Sequence, residues 1–495
     1  MEKTSNFMET AKQSALIGGL FLSACLLGAA IVGIGGGSNS QTLMFGALVF
    51  FAIGAAVCFV LELPVIAAVR FAFIVSCFIK LEVNIYKIDE LEDPSGFNFS
   101  LTLLMALILL VHDRFTDKSK EKIFPTSVSM LLVALFGCAV ISVIYGGSHL
   151  IGWFAVWSFF SSILIAFAIA SHFSQRERLI DLIIGLAFGL LFTGVVSCTQ
   201  YFLDFPTNLA FFGTGTEDEL LGTQSQLLSR VPAFLRTPTE MAWVLSTLIP
   251  LVLAPILCRV KNLESWQKNL FSAAMLAGII AVILSLARGS WISLVAAIAV
   301  LVLFGWYRLS KSEQRSYFVS VGGAMVLVCV LLTPFSLRIY ERLTGDDEGS
   351  ALIRVPLMET ALRMIEDNAL VGVGLNNYRT IMPKYDETEI FVTKVFPNPV
   401  HNIFAHITAE VGIPGAIIFC LLILAMLFEC FKLMSNHDRL LFAIALGSIA
   451  AIIAFVISGI KEPGSLGSVR PPMRTLFFLF GTILAVSRMR RRLFF

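Results

Sequence analysis

"HNIFAHITAEVGIPGAIIFCLLILAMLFE", residues 401 to 429, starts polar and then runs apolar for longer than a soluble helix requires. The hydrocarbon core of a bilayer is about 30 Å thick, and a helix crosses it with about 20 apolar residues. Residues 403–429 meet that length, with His401 and Asn402 at the lip and His406, Glu410 and a Gly-x-x-Gly (412–415) just inside. Runs of the same kind recur near 14–34, 41–61, 64–81, 98–111, 125–145, 149–170, 179–203, 240–258, 268–287, 290–306, 318–334, 440–460 and 472–487. The run at 64–81 carries Arg70 and that at 98–111 is short, so the count is about 12–14 spans.

Composition agrees with a membrane chain. Of the 495 residues 57% are hydrophobic and only 14% charged, with a mean hydropathy of +0.85. Soluble domains run at about 45–50% and about 25%. The fold class is therefore an all-α, polytopic transmembrane helix bundle, with the lipid bilayer as its main partner. The net charge of +2 says little, because position matters more than the sum, and no nucleic acid partner is expected. The N-terminal segment lacks a strongly basic start and a small-residue cleavage site, so its apolar run reads as a retained first span. All nine cysteines lie in or beside apolar runs and no C-x-x-C occurs, which points to small buried hydrophobes rather than disulfides or zinc.

Lys and Arg in short loops set the orientation. "HDRFTDKSKEK", "SHFSQRER", "RVKNLESWQK", "YRLSKSEQR", "KLMSNHDR" and the terminal "SRMRRRLFF" all fall on one side if the spans alternate. That side is the cytoplasm, with both termini in it. The loop 204–239 and the long segment 335–402 fall outside. The chain then divides into N-terminal transmembrane helices (1–203), central helices with outer-face arginines (204–334), a long outer loop (335–402) and C-terminal helices (403–495). Within the loop, Leu352, Ile353, Leu357, Met358, Ala361, Leu362 and Ile365 recur at helical spacing and predict an amphipathic helix.

Three short segments converge on the outer side. "RVPAFLRTPTEMAW" brings Arg230 and Arg236 to the start of one span, "LSLARGSWIS" puts Arg288 in a tight turn, and "NPVHNIF" brings His401 to the next span. Arginine is costly in hydrocarbon and is given a partner there. Arg288 has no acid in its own turn, so its partner is a distant side chain or a ligand anion. His401 and His406 are five apart and make a poor metal pair, no H-E-x-x-H occurs, and "GDDEG" (345–349) reads as a solvated loop. Neither a metal nor another cofactor is expected. Guanidinium groups match phosphate oxygens bidentately and stay charged. Neutral imidazole can accept the proton of a sugar hydroxyl. The chemistry that fits both is glycosyl transfer from a lipid diphosphate.

These residues resemble the O-antigen ligase and O-antigen polymerase superfamily of bacterial envelope glycosyltransferases. "VHNIFAHITAEVGIPGAIIF" is similar to its His-Asn signature, and "LARGSW" to its Ser-Arg-Gly turn with Ala287 for Ser. "RVPAFLRTPTEMA" is similar to an Arg-x-x-Gly…Pro-Asn segment, with Ala233 for Gly and Thr239 for Asn, which favours Arg230 over Arg236. "NALVGVGLNNYR" (368–379) is similar to its Gly-x-Gly segment, and the likeness covers roughly 200–430. It implies a GT-C-like bundle whose long extracytoplasmic loop contains short helices. It also implies a metal-independent, inverting transferase that uses an undecaprenyl-diphosphate-linked glycan donor, with a glycan or lipid A-core as acceptor. The place would be the periplasmic face of the bacterial inner membrane. His401, Arg288 and Arg230 would then be catalytic, and Arg236, Asn402 and Glu410 would bind substrate. Polymerase and ligase share the signature. The rival classes are a transporter or lipid-linked oligosaccharide flippase, which would hold its polar groups at the bilayer midplane, and a non-enzymatic envelope scaffold, which gives Arg288 no purpose.

Overall fold

The computed structural model describes residues 65–79, 82–85, 96–116, 123–147, 149–202, 230–235, 237–261, 263–344, 350–389, 391–468 and 470–493. The expected spans 14–34 and 41–61, Arg236 and the "GDDEG" loop lie outside the described residues. The helices in chain order are α1 (Val65–Val75), α2 (Leu101–Thr116), α3 (Thr126–Tyr145), α4 (His149–His172) and α5 (Arg176–Phe202). After these come α6 (Pro238–Leu257), α7 (Ser265–Leu284), α8 (Arg288–Gly305), α9 (Lys311–Leu332), α10 (Ser336–Thr344) and α11 (Ser350–Asp367). Two four-residue helices, Tyr378–Ile381 and Val392–Val395, come next, and the last three are α12 (Ile403–Met434), α13 (Arg439–Gly459) and α14 (Pro471–Leu493).

Among the described residues nine helices, α3 to α9 with α12 and α13, are long and apolar enough to cross a membrane. The protein is an all-α, multi-pass membrane protein. α14 matches them in length but carries Arg474 and a terminal arginine cluster. α6 and α13 are buried over most of their length and pack on each other at the centre, with α7 against α5, α8 against α13 and α14 against α4. Gly447 allows the central pair to approach, since a Cβ there would stand 3.0 Å from both Ala254 Cβ and the Pro250 carbonyl. Small residues at such contacts let dispersion act where lipid offers no hydrophobic gain.

Arg70, which makes 64–81 doubtful as a span, is accommodated by partners from two other helices. Its Nε donates to His172 Nε2 at 3.1 Å and its Nη1 pairs with Asp181. The other ring nitrogen of His172 lies 2.8 Å from Asp113 Oδ1, and the Ser171 hydroxyl donates to Asp113 Oδ2. The segment forms an eleven-residue helix and a 3-10 turn, Ser76–Phe78. The expected span 98–111 also differs. Phe97–Ser100 (β2) pairs antiparallel with Glu82–Ile85 (β1), and the helix begins only at Leu101. Ser100 Oγ accepts from the Leu103 N–H, and the buried Asn98 accepts from Trp157 and Arg474, so partners satisfy the polar residues of the strand.

Alternating passes gather the loops into two sets. At one end Arg439 pairs with Glu313, Arg259 donates to Ser316 and Arg308 to the Met434 carbonyl, so the short basic loops meet one another. At the other end lie 230–235, the turn 285–287, residues 335–344, 350–389 and 391–402, and residues 460–468 with Arg470. The amphipathic helix is present as α11, packed on α12. It buries Leu357, Ala361 and Met364, with Met358 and Ile365 beside them, while Leu362 is 49% exposed.

α12 is broken where it enters the bundle. Gly412 takes φ +75° and ψ 171°, which interrupts the helical hydrogen bonds. The strip 369–374 splints the break: Val373 N donates to Ala409 O, Gly374 N to Glu410 O, and Ile413 N to Ala369 O. This accounts for the Gly-x-Gly of "VGVG". A Cβ on Gly372 (φ +76°) would sit 2.3 Å from the Glu410 carbonyl oxygen. Gly147 has a similar φ of +68° but open space around it. Left-handed backbone alone costs a non-glycine residue roughly 1–2 kcal/mol. Gly372→Ala should therefore lower the melting temperature of the solubilised protein clearly more than Gly147→Ala, the difference reporting the backbone collision. Equal shifts for the two variants would mean that the splint is not tightly docked.

Candidate active site

The tight turn before α8 is built by distant arginines. Leu286 adopts φ +54°, and the Ser285 hydroxyl accepts the Ala287 N–H at 3.2 Å. The end of α7 leaves carbonyls without helical partners. Arg230 Nε donates to Ser285 O at 2.9 Å, and Arg342 Nε, from α10, donates to Leu286 O at 3.2 Å. Ala287 is the N-cap of α8 and offers no capping oxygen; Arg288 is the first helical residue and is half-buried. The positive end of the α8 dipole thus lies in the arginine-rich turn.

Arg230 is further fixed by donating to Thr239 Oγ1 at 3.3 Å. Burial and the nearby Arg342 pull its pKa down to about 10, with Glu462 acting the other way, so it stays charged at neutral pH. Three residues on, Ala233 holds φ +51°, in the left-handed region. The Gln200 side chain clamps that strained position, accepting from Ala233 N and donating to Ala233 O.

His401 sits in the bend that leads into α12, with the Phe396 ring 6.0 Å away. Its Nδ1 is buried and has no hydrogen-bond partner. Burial, and then the charge of Arg354 on α11, push its pKa down to about 4; Arg470 adds to this and the Lys461 backbone opposes it. The ring is neutral at physiological pH. Lys461 also ties His401 to the arginine turn, because a Cβ on Gly289 would stand 3.2 Å from Lys461 Cδ.

Asn402 is the N-cap of α12: its Oδ1 accepts from Phe404 N at 2.9 Å and Ala405 N at 3.1 Å. Glu410 is buried beside the break in that helix. Its oxygens accept from Asn376 N at 3.0 Å and from the Ser465 hydroxyl, and His406 Nε2 lies 3.4 Å away. It joins three chain segments and, with His406, Tyr378 and Arg470, lines a cavity next to the His401 bend.

The sequence reading passed over the loop 460–470. Lys461, Glu462 and Arg470 stand there among the arginines, and Arg470 lies 3.6 Å from Glu240 of α6. Arg342 and Arg354 were missed as well. Counting passes places "KEPGSLGSVR" at the same end as His401, and that was the available signal. Elsewhere, His112, Asp113 and His172 bring ligand atoms within 4.8 Å of one another, but Arg70 and Asp113 engage both ring nitrogens of His172.

Two of the three converging segments, the Arg288 turn and the His401 bend, lie in one stretch that has relatives. Residues 273–420 match the O-antigen ligase family. The match supports the superfamily read from the sequence and, in general, a membrane glycan ligase or polymerase. The matched stretch contains Arg288, Arg342, Arg354, His401, Asn402 and Glu410, while Arg230, Glu462 and Arg470 lie outside it. No curated protein matches the chain at a significant level.

Proposed function

We propose that the protein transfers or polymerises a glycan from an undecaprenyl-diphosphate-linked donor onto a sugar hydroxyl, at the periplasmic face of the bacterial inner membrane. The acceptor is a growing glycan or a lipid A-core. The observation that carries this reading is that Arg354 and Arg470 face a neutral His401, while Lys461, which bonds His401 through its backbone, lies against Gly289 of the turn that Arg230 holds.

In this mechanism the arginines and the α8 N-terminus hold the diphosphate and stabilise the charge that grows as it leaves. That is work a metal ion does elsewhere, so the transfer is metal-independent. The acceptor oxygen attacks the anomeric carbon from the face opposite the diphosphate, which inverts the centre. As the new C–O bond forms, the bond to the phosphate oxygen breaks and its electron pair leaves with the diphosphate. The hydroxyl proton passes to His401 Nδ1, the ring nitrogen without a hydrogen-bond partner. The bound diphosphate would offset Arg354 and Arg470, making the imidazole a stronger base when donor is present. Asn402 sets the ring's backbone by capping α12, and Glu410 braces the broken helix below it. Arg236, close to Arg230 in sequence, would add a contact to the donor diphosphate.

Sidedness is testable. Glu389 and His437 are exposed and lie at opposite ends of the bundle. In a cysteine-free background, Glu389→Cys should react with an impermeant maleimide on intact spheroplasts, and His437→Cys only after permeabilisation. The reverse pattern would put the arginine cluster in the cytoplasm and end the periplasmic assignment.

A further inference from the structure

The cavity beside the His401 bend has no part in the mechanism above. Its polar wall is built from Tyr378 and Arg379 of one short helix, His406 and Glu410 of α12, and Ser468 and Arg470 beyond α13. Pro399, two residues before His401, also lines it. So does Gly464, which abuts Ile403, two residues after His401: a Cβ on Gly464 would stand 2.9 Å from the Ile403 side chain. Glu410 is fixed by the Asn376 N–H and the Ser465 hydroxyl, and its Oε1 lies 3.4 Å from His406 Nε2. That approach favours the ring proton on Nε2, facing the carboxylate, and leaves Nδ1 as an acceptor. His406 is only 7% exposed, and its Nδ1 is buried with no hydrogen-bond partner among the described residues. The Tyr378 ring stands edge-on to His406 with centroids 4.8 Å apart. Its hydroxyl, beside the Val400 backbone, is likewise buried without a hydrogen bond. Buried polar groups are nearly always satisfied, so two such orphans on one small cavity point to a polar ligand.

We propose that this cavity is a subsite for the acceptor: it takes one edge of a neutral sugar, one hydroxyl donating to His406 Nδ1 and its neighbour meeting the Tyr378 hydroxyl. This rests on the glycosyl-transfer reading of the site. The enclosed space is that of about two water molecules, enough for the hydroxyl-bearing edge of a ring and too little for a whole sugar. The wall mixes acceptors, His406 Nδ1 and the Glu410 carboxylate, with guanidinium donors from Arg379 and Arg470. A hydroxyl both donates and accepts, so adjacent hydroxyls match such a wall. A phosphate only accepts, and it would face Glu410 with like charge. The charges of the wall are also matched, since Arg470 lies 3.6 Å from Glu240 and Arg379 shares the cavity with Glu410. An acidic sugar therefore has no surplus cation to bind. A sugar seated here lies beside the bend, where His406 binds the acceptor and His401 takes its proton.

The test is saturation-transfer NMR on the purified full-length protein in nanodiscs. The probes are the methyl glycosides of glucose, galactose, mannose and N-acetylglucosamine, with methyl glucuronide and inorganic phosphate as anionic controls. At least one neutral glycoside should receive saturation from the wild type, and neither control should displace it. His406→Phe keeps the bulk of the ring but loses the acceptor, and should weaken that binding about fivefold. His406→Asn, whose side-chain oxygen can stand where Nδ1 does, should restore most of it, which packing alone would not do. Tyr378→Phe removes a single hydroxyl and should weaken binding too, so the comparison survives if His406→Phe does not fold. Farnesyl diphosphate should bind each folded variant as it binds the wild type. The proposal is overturned if no neutral glycoside binds the wild type, if Tyr378→Phe and the folded His406 variants bind it equally well, or if either anion displaces it. Loss of farnesyl diphosphate binding in Arg288→Ala would in that case leave the donor reading standing without this subsite. Glycoside binding that needs His406, together with diphosphate binding indifferent to Arg288, would keep the subsite and end the diphosphate reading.

Discussion

His401→Ala is expected to abolish detectable glycan transfer while the diphosphate donor still binds. A sugar hydroxyl is a poor nucleophile while it holds its proton, and loss of a general base typically slows such reactions by about 10²–10⁴. His401 is suited to the role because its buried Nδ1 is unoccupied by any hydrogen bond and its ring is held neutral, with a pKa of about 4 in the free protein. Protonation of His401 should therefore limit turnover only well below the usual imidazole range, near pH 4–5 or somewhat higher with donor bound. Purified His401→Ala and His401→Gln, assayed with a lipid-linked donor, check this. Turnover near wild type in either variant would show that the diphosphate leaves readily without a base and that His401 only positions the acceptor. His406→Ala should matter less for chemistry, because His406 sits against Glu410 and Tyr378 rather than in the bend.

Arg288→Ala should cost about 10²–10³ in turnover, about 2.7–4 kcal/mol, by analogy with the loss of one oxyanion donor. Arg288→Lys should stay badly impaired, since an ammonium keeps the charge but loses the planar fork that matches two phosphate oxygens. Arg230→Ala should resemble it and also loosen the turn, because Arg230 holds the Ser285 carbonyl. Arg236→Ala should be milder than both. Normal polymer or ligated product from Arg288→Ala, at unchanged protein level, would falsify the diphosphate role.

The spans were legible because apolar run length is local. The run expected at 240–258 is Pro238–Leu257, and that at 403–429 opens Ile403–Met434. The pairing of ends was legible too, since an odd or even number of passes decides which loops meet. Less of the amphipathic helix was fixed by spacing: Met364 rather than Leu362 faces the core, a choice made by where α12 lies. Spacing could not find the β1–β2 ladder, because its strands are only four residues long and Asn98 of β2 is held by Trp157 and Arg474 from distant helices.

By itself, then, the sequence determined that this is a helical membrane protein, which loops share an end, and that an arginine turn and a histidine bend belong to that end. Hydrophobic length and alternation require nothing beyond the local chain. The tertiary structure alone decided how each polar residue is used. Asn402 caps a helix, Glu410 bridges the break at Gly412, Arg342 closes the Arg288 turn, and Glu462 stands among Arg230, Arg354 and Arg470. Apart from the Asn402 cap, whose partners are the next turn of its own helix, those roles depend on residues brought in from distant parts of the chain, and a charge's meaning inside a membrane protein is set by the groups that face it.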